Sequence, residues 1–150
     1  MTSNGISIPA TARAKEQVLG DEEAGKELKL GEFKDATALT LSEARTLMTV
    51  IFDHRRDAGK FKVPDDPIVT KTQAYLEVFS RFKTQETAQA VERILLSQKD
   101  LSSFERAQLG SLCCDNAEEA KTLIPSLADK RSDDDLKDLL DEITRLRQFL

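Results

Sequence analysis

A series of helix-start signals constrains the fold more than any other feature of this sequence. Thr40 and Glu43 form a T-x-x-E capping box, in which each side chain can satisfy a free backbone amide at the start of a helix. Similar starts recur further along the chain: Asp66-Pro67, Ser102 with Glu105, Asp115 with Glu118, and Ser132 before three aspartates. These signals predict that helices follow one another along most of the chain.

Apolar residues behind these starts recur at spacings of three and four, which is the period of a helix with one buried face. The most regular stripe comprises Leu136, Leu139, Leu140, Ile143, Leu146 and Leu150. After Thr40, no segment alternates apolar and polar residues as a half-buried strand would. The pattern therefore predicts an all-α fold, a compact bundle of six short-to-medium helices.

The N-terminal part of the chain differs from the rest. Residues 1–27 contain few large apolar side chains, which is typical of a flexible tail. Leu28, Leu30 and Phe33 then follow at short spacing around Gly31, which fits a strand or an extended docking segment better than a helix. We therefore predict a tail over residues 1–27, an extended partner-docking segment over 28–39 and a helical bundle domain over 40–150.

Composition excludes several functional classes. The chain is 39% hydrophobic and 33% charged, and it has no apolar run long enough to cross a membrane and no legible secretory signal. Its net charge of −5 disfavours autonomous binding to the phosphates of DNA. Aromatic residues make up only 5% of the chain, without Trp, which is few for a surface that stacks nucleic-acid bases.

No residue pattern indicates catalysis. The single histidine, His54, cannot form a multi-histidine metal site, and the adjacent Cys113 and Cys114 are better explained as small core residues than as a strained redox disulfide. The acidic run Asp133-Asp134-Asp135 is better explained as compensation of the positive end of a helix dipole than as a calcium loop. We therefore predict no catalytic residues, no cofactor and no metal.

One stretch of the chain resembles a known family. The run FERAQLGSLCCDNAEEAKTLIPSL, preceded by TQAYLEVFSRFKTQET, is similar to the fourth subunit of eukaryotic RNA polymerase II, as are the segments LKLGEF and LTLSEAR. The resemblance spans roughly residues 28–150. Relatives carry a longer charged insertion where this chain has only a short connector, at residues 57–67.

The resemblance implies a fold and a role. The family folds as a helical bundle similar to the domain shared by RecQ-type helicases and ribonuclease D (an HRDC-like fold). It pairs with the seventh polymerase subunit, which carries an OB-type barrel, and the resulting stalk lies on the polymerase core beside the clamp, near the RNA exit path. The implied roles are in transcription initiation, in handling nascent RNA through the partner, and in receiving transcription and RNA-processing factors. The implied location is the nucleus, with the cytoplasm as a second location. No active site and no membrane contact are implied.

Two other functions remain open at this point. One is the corresponding stalk subunit of RNA polymerase III, and the other is a helicase-type module that binds nucleic acid. Binding of the isolated chain to nucleic acid would separate the second alternative, and the identity of the subunits that co-purify would separate the first.

A subunit that acts by assembly should expose apolar groups that its own core does not cover. The first helix carries apolar residues on more than one side, so one side can contact the bundle and the other a partner. The alternative is that all of these residues are internal core. The predicted partner interface comprises Leu28, Leu30, Phe33, Leu47, Met48, Ile51 and Phe52.

Overall fold

The computed structural model describes residues 22–57 and 66–147. The predicted tail up to residue 21, most of the short connector (residues 58–65) and Leu150 of the last stripe lie outside the described residues. In chain order the elements are β1 (Glu23–Ala24), β2 (Leu28–Lys29), a 3₁₀ turn (Gly31–Phe33), α1 (Leu41–Asp57), α2 (Pro67–Phe79), α3 (Gln85–Ser97), α4 (Ser103–Leu112), α5 (Ala117–Leu123), a second 3₁₀ turn (Pro125–Leu127) and α6 (Asp133–Arg147). Apart from the two-residue strands these elements are helical, which confirms the prediction of an all-α bundle.

Most helix starts follow the predicted capping residues. Asp66 caps α2 by accepting a hydrogen bond from the backbone amide of Ile68 at 2.8 Å, with Pro67 at the first helical position. Ser102 and Glu105 form the predicted reciprocal capping box at α4. Local hydrogen-bonding chemistry therefore sets these helix boundaries.

The start of α5 corrects the sequence prediction by one residue. The cap is Asn116, not Asp115: its side chain accepts from the backbone amide of Glu119 at 2.8 Å, and Glu119 Oε2 accepts from the amide of Asp115 at 2.7 Å. The prediction that paired Asp115 with Glu118 was wrong because the same spacing of three fits both pairs. The extended backbone of Asn116 decides between them.

The apolar core is built by α3 to α6, the segments between them and the connector that precedes α3. Its buried members are Phe82, Ala88, Val91, Leu95, Leu101, Leu109, Cys113, Cys114, Ala117, Ala120, Ile124, Leu127, Leu136, Leu139, Leu140 and Ile143. The described part of α1 contributes no buried apolar side chain, and that of α2 contributes only Leu76, which lies outside this cluster. The first two helices therefore stand beside the core instead of forming it.

The start of α1 is attached to α4 at a close contact. A Cβ atom on Gly110 of α4 would lie 2.6 Å from Thr40 Cγ2 and 2.8 Å from Leu95 Cδ1, so the absence of a side chain permits this approach. The backbone amide of Leu41 also donates to Ser111 Oγ at 3.1 Å. These contacts fix where α1 leaves the bundle.

The two cysteines lie at the corner between α4 and α5. Both thiols are free and buried, which confirms that they are small core residues. Cys113 ends α4 in the left-handed region, with φ of 50°, a conformation that glycine adopts more readily.

Candidate partner-docking surface

Helix α1 presents its apolar residues on two different faces. Leu47, Val50 and Ile51 share one face and are 48%, 53% and 36% exposed. Met48 and Phe52, one turn apart on the adjacent face, are half-buried, and Met48 lines a small cavity with Leu76 of α2. The alternative that all five are internal core is therefore wrong, because α1 packs beside the core and leaves one face uncovered.

An ion pair holds α1 against α2. Arg45 donates from Nη2 to Glu77 Oε1 at 2.9 Å and from Nε to Glu77 Oε2, while its Nη1 donates to the backbone carbonyl of Lys83 at 2.9 Å. The hydrogen bond from Arg45 lowers the pKa of the Glu77 carboxyl. A forked contact of this kind sets the orientation of the two helices, so the exposed face of α1 is presented in a defined direction.

Helix α2 adds exposed apolar residues that the sequence analysis did not place on the surface. Ile68, Tyr75, Val78 and Phe79 are all more than half exposed. The rings of Tyr75 and Phe79 contact each other, with centroids 4.6 Å apart and planes tilted by 34°. The signal that could have found them is the one used for α1, because α2 also carries apolar residues on more than one side.

The N-terminal segment folds back on the bundle as a short hairpin. Ala24 pairs with Leu28 and Glu23 with Lys29, so the hairpin begins within the range predicted as tail and crosses the predicted boundary between residues 27 and 28. Backbone pairing of this kind needs no large apolar side chain, and for that reason the composition of the tail gave no sign of it. The remaining extent of the tail and the docking role of residues 28–39 stay predictions.

The three apolar residues of this segment lie in different environments. Leu28 and Leu30 are half-buried, whereas Phe33 is 69% exposed. Leu30 and Phe33 line a cavity of about 450 Å³ between the hairpin and the start of α4, where Phe104 forms part of the wall. The hairpin thus brings two of the predicted residues together at one site.

A second cavity lies between the exposed face of α1 and α3. It has a volume of about 300 Å³, and its apolar lining is formed by Leu39, Leu47, Val50 and Ala88. The predicted interface residues therefore do not converge on one pocket. Leu30 and Phe33 line the hairpin cavity, Leu47 lines the α1–α3 cavity, and Met48 lines the small cavity between α1 and α2. The linings of these three cavities do not include Leu28, Ile51 or Phe52.

The described residues offer these surfaces little chemistry beyond apolar contact. Within residues 22–57 and 66–147, no three His, Cys, Asp or Glu side chains lie close enough to hold a metal ion. No helix in that part of the chain is long and apolar enough to cross a membrane. A helical bundle with an uncovered apolar face is typical of a subunit that binds another protein.

Comparison with known proteins identifies the family. Residues 38–147 match the RNA polymerase Rpb4 family, and the chain belongs to that family. It is 48% identical over 129 residues to DNA-directed RNA polymerase II subunit rpb4 of Schizosaccharomyces pombe, an alignment that covers 85% of this chain and 94% of the relative. It is 35% identical over 136 residues to the subunit of the same name from Dictyostelium discoideum, covering 79% and 84% of the two chains. With the Saccharomyces cerevisiae subunit the identity is 57% over 75 residues, covering 50% of this chain and 34% of the relative.

Proposed function

We propose that this chain is a non-catalytic subunit of the DNA-directed RNA polymerase II complex and that it forms a stalk heterodimer with the seventh subunit. Membership of the Rpb4 family and the names of the relatives support the assignment to polymerase II over the alternative of polymerase III. The net charge of −5 disfavours the alternative of an autonomous nucleic-acid-binding module. The proposed location is the nucleus, where this polymerase acts.

The observation that carries the proposed pairing is the uncovered apolar face of the first two helices. Leu47, Val50 and Ile51 on α1 lie outside the core, and Val78 and Phe79 are exposed on α2. Burying a Leu or Ile side chain contributes roughly 1.5–3 kcal/mol. A partner that covered these residues would remove their apolar side chains from water, which is energetically favourable.

Further parts of the proposal rest on the family resemblance. They are docking of the stalk beside the clamp of the polymerase core, a role in initiation, handling of nascent RNA through the partner, and contact with transcription and RNA-processing factors. The N-terminal segment is proposed to add to the interface through Phe33, its most exposed apolar residue.

The direct experiment measures binding to the purified seventh subunit. We expect the combined change Leu47→Ser, Val50→Ser and Ile51→Ser to weaken binding by about 100-fold or more, after the cost of ordering the interface is deducted. Leu123→Ser is the matched control, because Leu123 is 53% exposed on α5, away from this face, and should leave affinity unchanged. Wild-type affinity in the triple variant would exclude α1 from the interface.

A second pair of variants separates binding from folding. Phe33→Ser should reduce affinity without changing the melting temperature, since the ring is largely exposed in the isolated chain. Leu139→Ala removes a side chain that is 5% exposed in the core, and it should lower the free energy of unfolding by roughly 2–5 kcal/mol. Its folded fraction should still bind the partner. If Phe33→Ser instead lowers the melting temperature and leaves affinity intact, residues 28–39 belong to the bundle and not to a docking segment.

A further inference from the structure

Three cavities of the described residues adjoin one another through shared wall residues. The hairpin cavity of about 450 Å³ and a smaller cavity of about 80 Å³ share Thr37 and Ala38 in their walls. The smaller cavity and the α1–α3 cavity of about 300 Å³ share Glu43 and Glu92. We call these three adjoining cavities together the hairpin–α3 groove.

The groove is lined by apolar side chains that the described residues leave in contact with water. Five of them are between 44% and 69% exposed: Phe33, Leu39, Leu47, Val50 and Leu96. They lie along the whole length of the groove. An extended segment with apolar side chains at intervals would place each of these side chains against an apolar residue of the groove.

The charges in the groove are unequal at its two ends. The hairpin cavity is lined by two lysines and two glutamates, with no excess of acid, whereas Glu43 and Glu92 are the charged residues that the described part of the chain places around the α1–α3 cavity. Glu92 is half-buried and makes no hydrogen bond or ion pair with any described residue. Arg106 lines the smaller cavity, but its guanidinium donates to two backbone carbonyls between α3 and α4. A carboxylate between apolar walls is stabilised by a cation, so this end of the groove favours a basic side chain.

The chain itself contains a segment with the required chemistry. Residues 1–15 include no acidic side chain, carry Arg13 and Lys15, and alternate apolar and polar groups at Ile6-Ser7-Ile8. The described chain begins at Glu22, which lines the hairpin cavity. An extended chain spans at most about 25 Å from residue 22 to residue 15 and about 50 Å from residue 22 to residue 8. Along the sequence, Arg13 and Lys15 lie between Glu22 and the two isoleucines.

We propose that residues 5–15 of the chain bind the hairpin–α3 groove of the same molecule, with Ile6 and Ile8 against its apolar lining and Lys15 opposite Glu92. The groove includes Phe33 and Leu47 of the proposed docking surface, so a partner that covers this surface displaces the segment. That consequence rests on the proposed function. The binding of the segment does not, because it is measured on the chain alone.

The experiment is zero-length carbodiimide cross-linking of the full chain, followed by peptide mass spectrometry. Lys15 is the only lysine among residues 1–21, so a link from Lys15 to Glu92 reports the segment directly. Lys26 and Asp129, whose charged atoms lie 2.9 Å apart, supply an internal reference link in every sample. We expect a link between Lys15 and Glu92 whose yield does not depend on protein concentration.

Variants separate specific binding from random contact. The double change Ile6→Ser and Ile8→Ser leaves the bundle untouched and should reduce the yield of the Lys15–Glu92 link by about ten-fold, because apolar burial drives the binding. Leu123→Ser should not change it. Links from Lys15 only to Glu16 and Asp21 would overturn the proposal. So would a yield that rises with protein concentration, which indicates a second copy as the occupant, or an undiminished yield in the double serine variant.

Discussion

The replacement of Glu105 by glutamine tests whether a buried carboxylate links the start of α4 to the segment between α5 and α6. Its side chain is fully buried at the start of α4 and accepts hydrogen bonds from the backbone amide of Ser102 at 2.7 Å and from Ser126 Oγ at 2.6 Å. Lys130 Nζ donates to both carboxylate oxygens at 2.8 Å. One capping residue therefore joins α4 to the turn before α6.

The size of the effect follows from these contacts. Glutamine keeps the shape and one acceptor oxygen, but its NH₂ group faces donors and it has no charge for Lys130. Hydrogen bonds to charged groups contribute about 1.5–3 kcal/mol, so Glu105→Gln should lower the free energy of unfolding by roughly 1–3 kcal/mol near neutral pH. Glu119→Gln is the matched control, because Glu119 caps α5 in the same way but is exposed, and it should cost less than about 0.5 kcal/mol.

The pH dependence gives the sharper test. Burial alone raises the pKa of the Glu105 carboxyl, but hydrogen bonds from Lys130, Ser126 and Ser102 outweigh it and hold the pKa below its ordinary value. The folded chain thus binds fewer protons here than the unfolded chain. The stabilisation is present above the ordinary pKa of about 4.3 and is lost as the pH falls through the lowered value.

The free energy of unfolding is measured by urea unfolding followed by circular dichroism. The measurement is made near neutral pH and again well below the ordinary pKa of the carboxyl. The stability difference between the wild type and Glu105→Gln should shrink in acid, because both side chains are then neutral. The remaining carboxylates are common to both proteins, so their protonation in acid largely cancels from this difference. The Glu119→Gln control gives the change expected from an exposed capping carboxylate. An equal difference at both pH values would refute the reasoning.

Two further predictions concern the corner of the bundle. Gly110→Ala gains up to about 1 kcal/mol of helix propensity but should still lower the melting temperature, since overpacking costs about 1–3 kcal/mol and the β-branched Thr40 cannot easily move; a higher melting temperature would show that Leu95 and Thr40 yield without strain. Burial raises the pKa of the Cys113 thiol to about 11, so Cys113 and Cys114 should react slowly with a thiol reagent in native buffer and fast in denaturant. Rapid labelling of both thiols in native buffer would contradict the assignment of core residues.

Local signals in the sequence determined the helical character of this protein. A capping side chain and the amide it binds are only two or three residues apart, so Asp66, Ser102 and Glu105 could be placed without knowledge of the fold. The stripe of α6 was equally readable, because Leu136, Leu139, Leu140 and Ile143 are all buried. Where two local patterns were equivalent, as at the start of α5, the sequence did not choose between them.

Only the tertiary structure decided which apolar residues remain uncovered and which polar ones are buried. The periodicity of α1 and α2 shows apolar residues on several sides, but the exposed side depends on where the helices leave the bundle, and Gly110 fixes that through its contact with Thr40. In the sequence, Glu105 has the pattern of an ordinary capping residue. Only the fold brings it against Ser126 and Lys130, which are 21 and 25 residues away in the chain. Such contacts join distant parts of the chain, and no local spacing encodes them. The sequence thus predicted the helices, while packing between helices determined which of their apolar residues stay exposed.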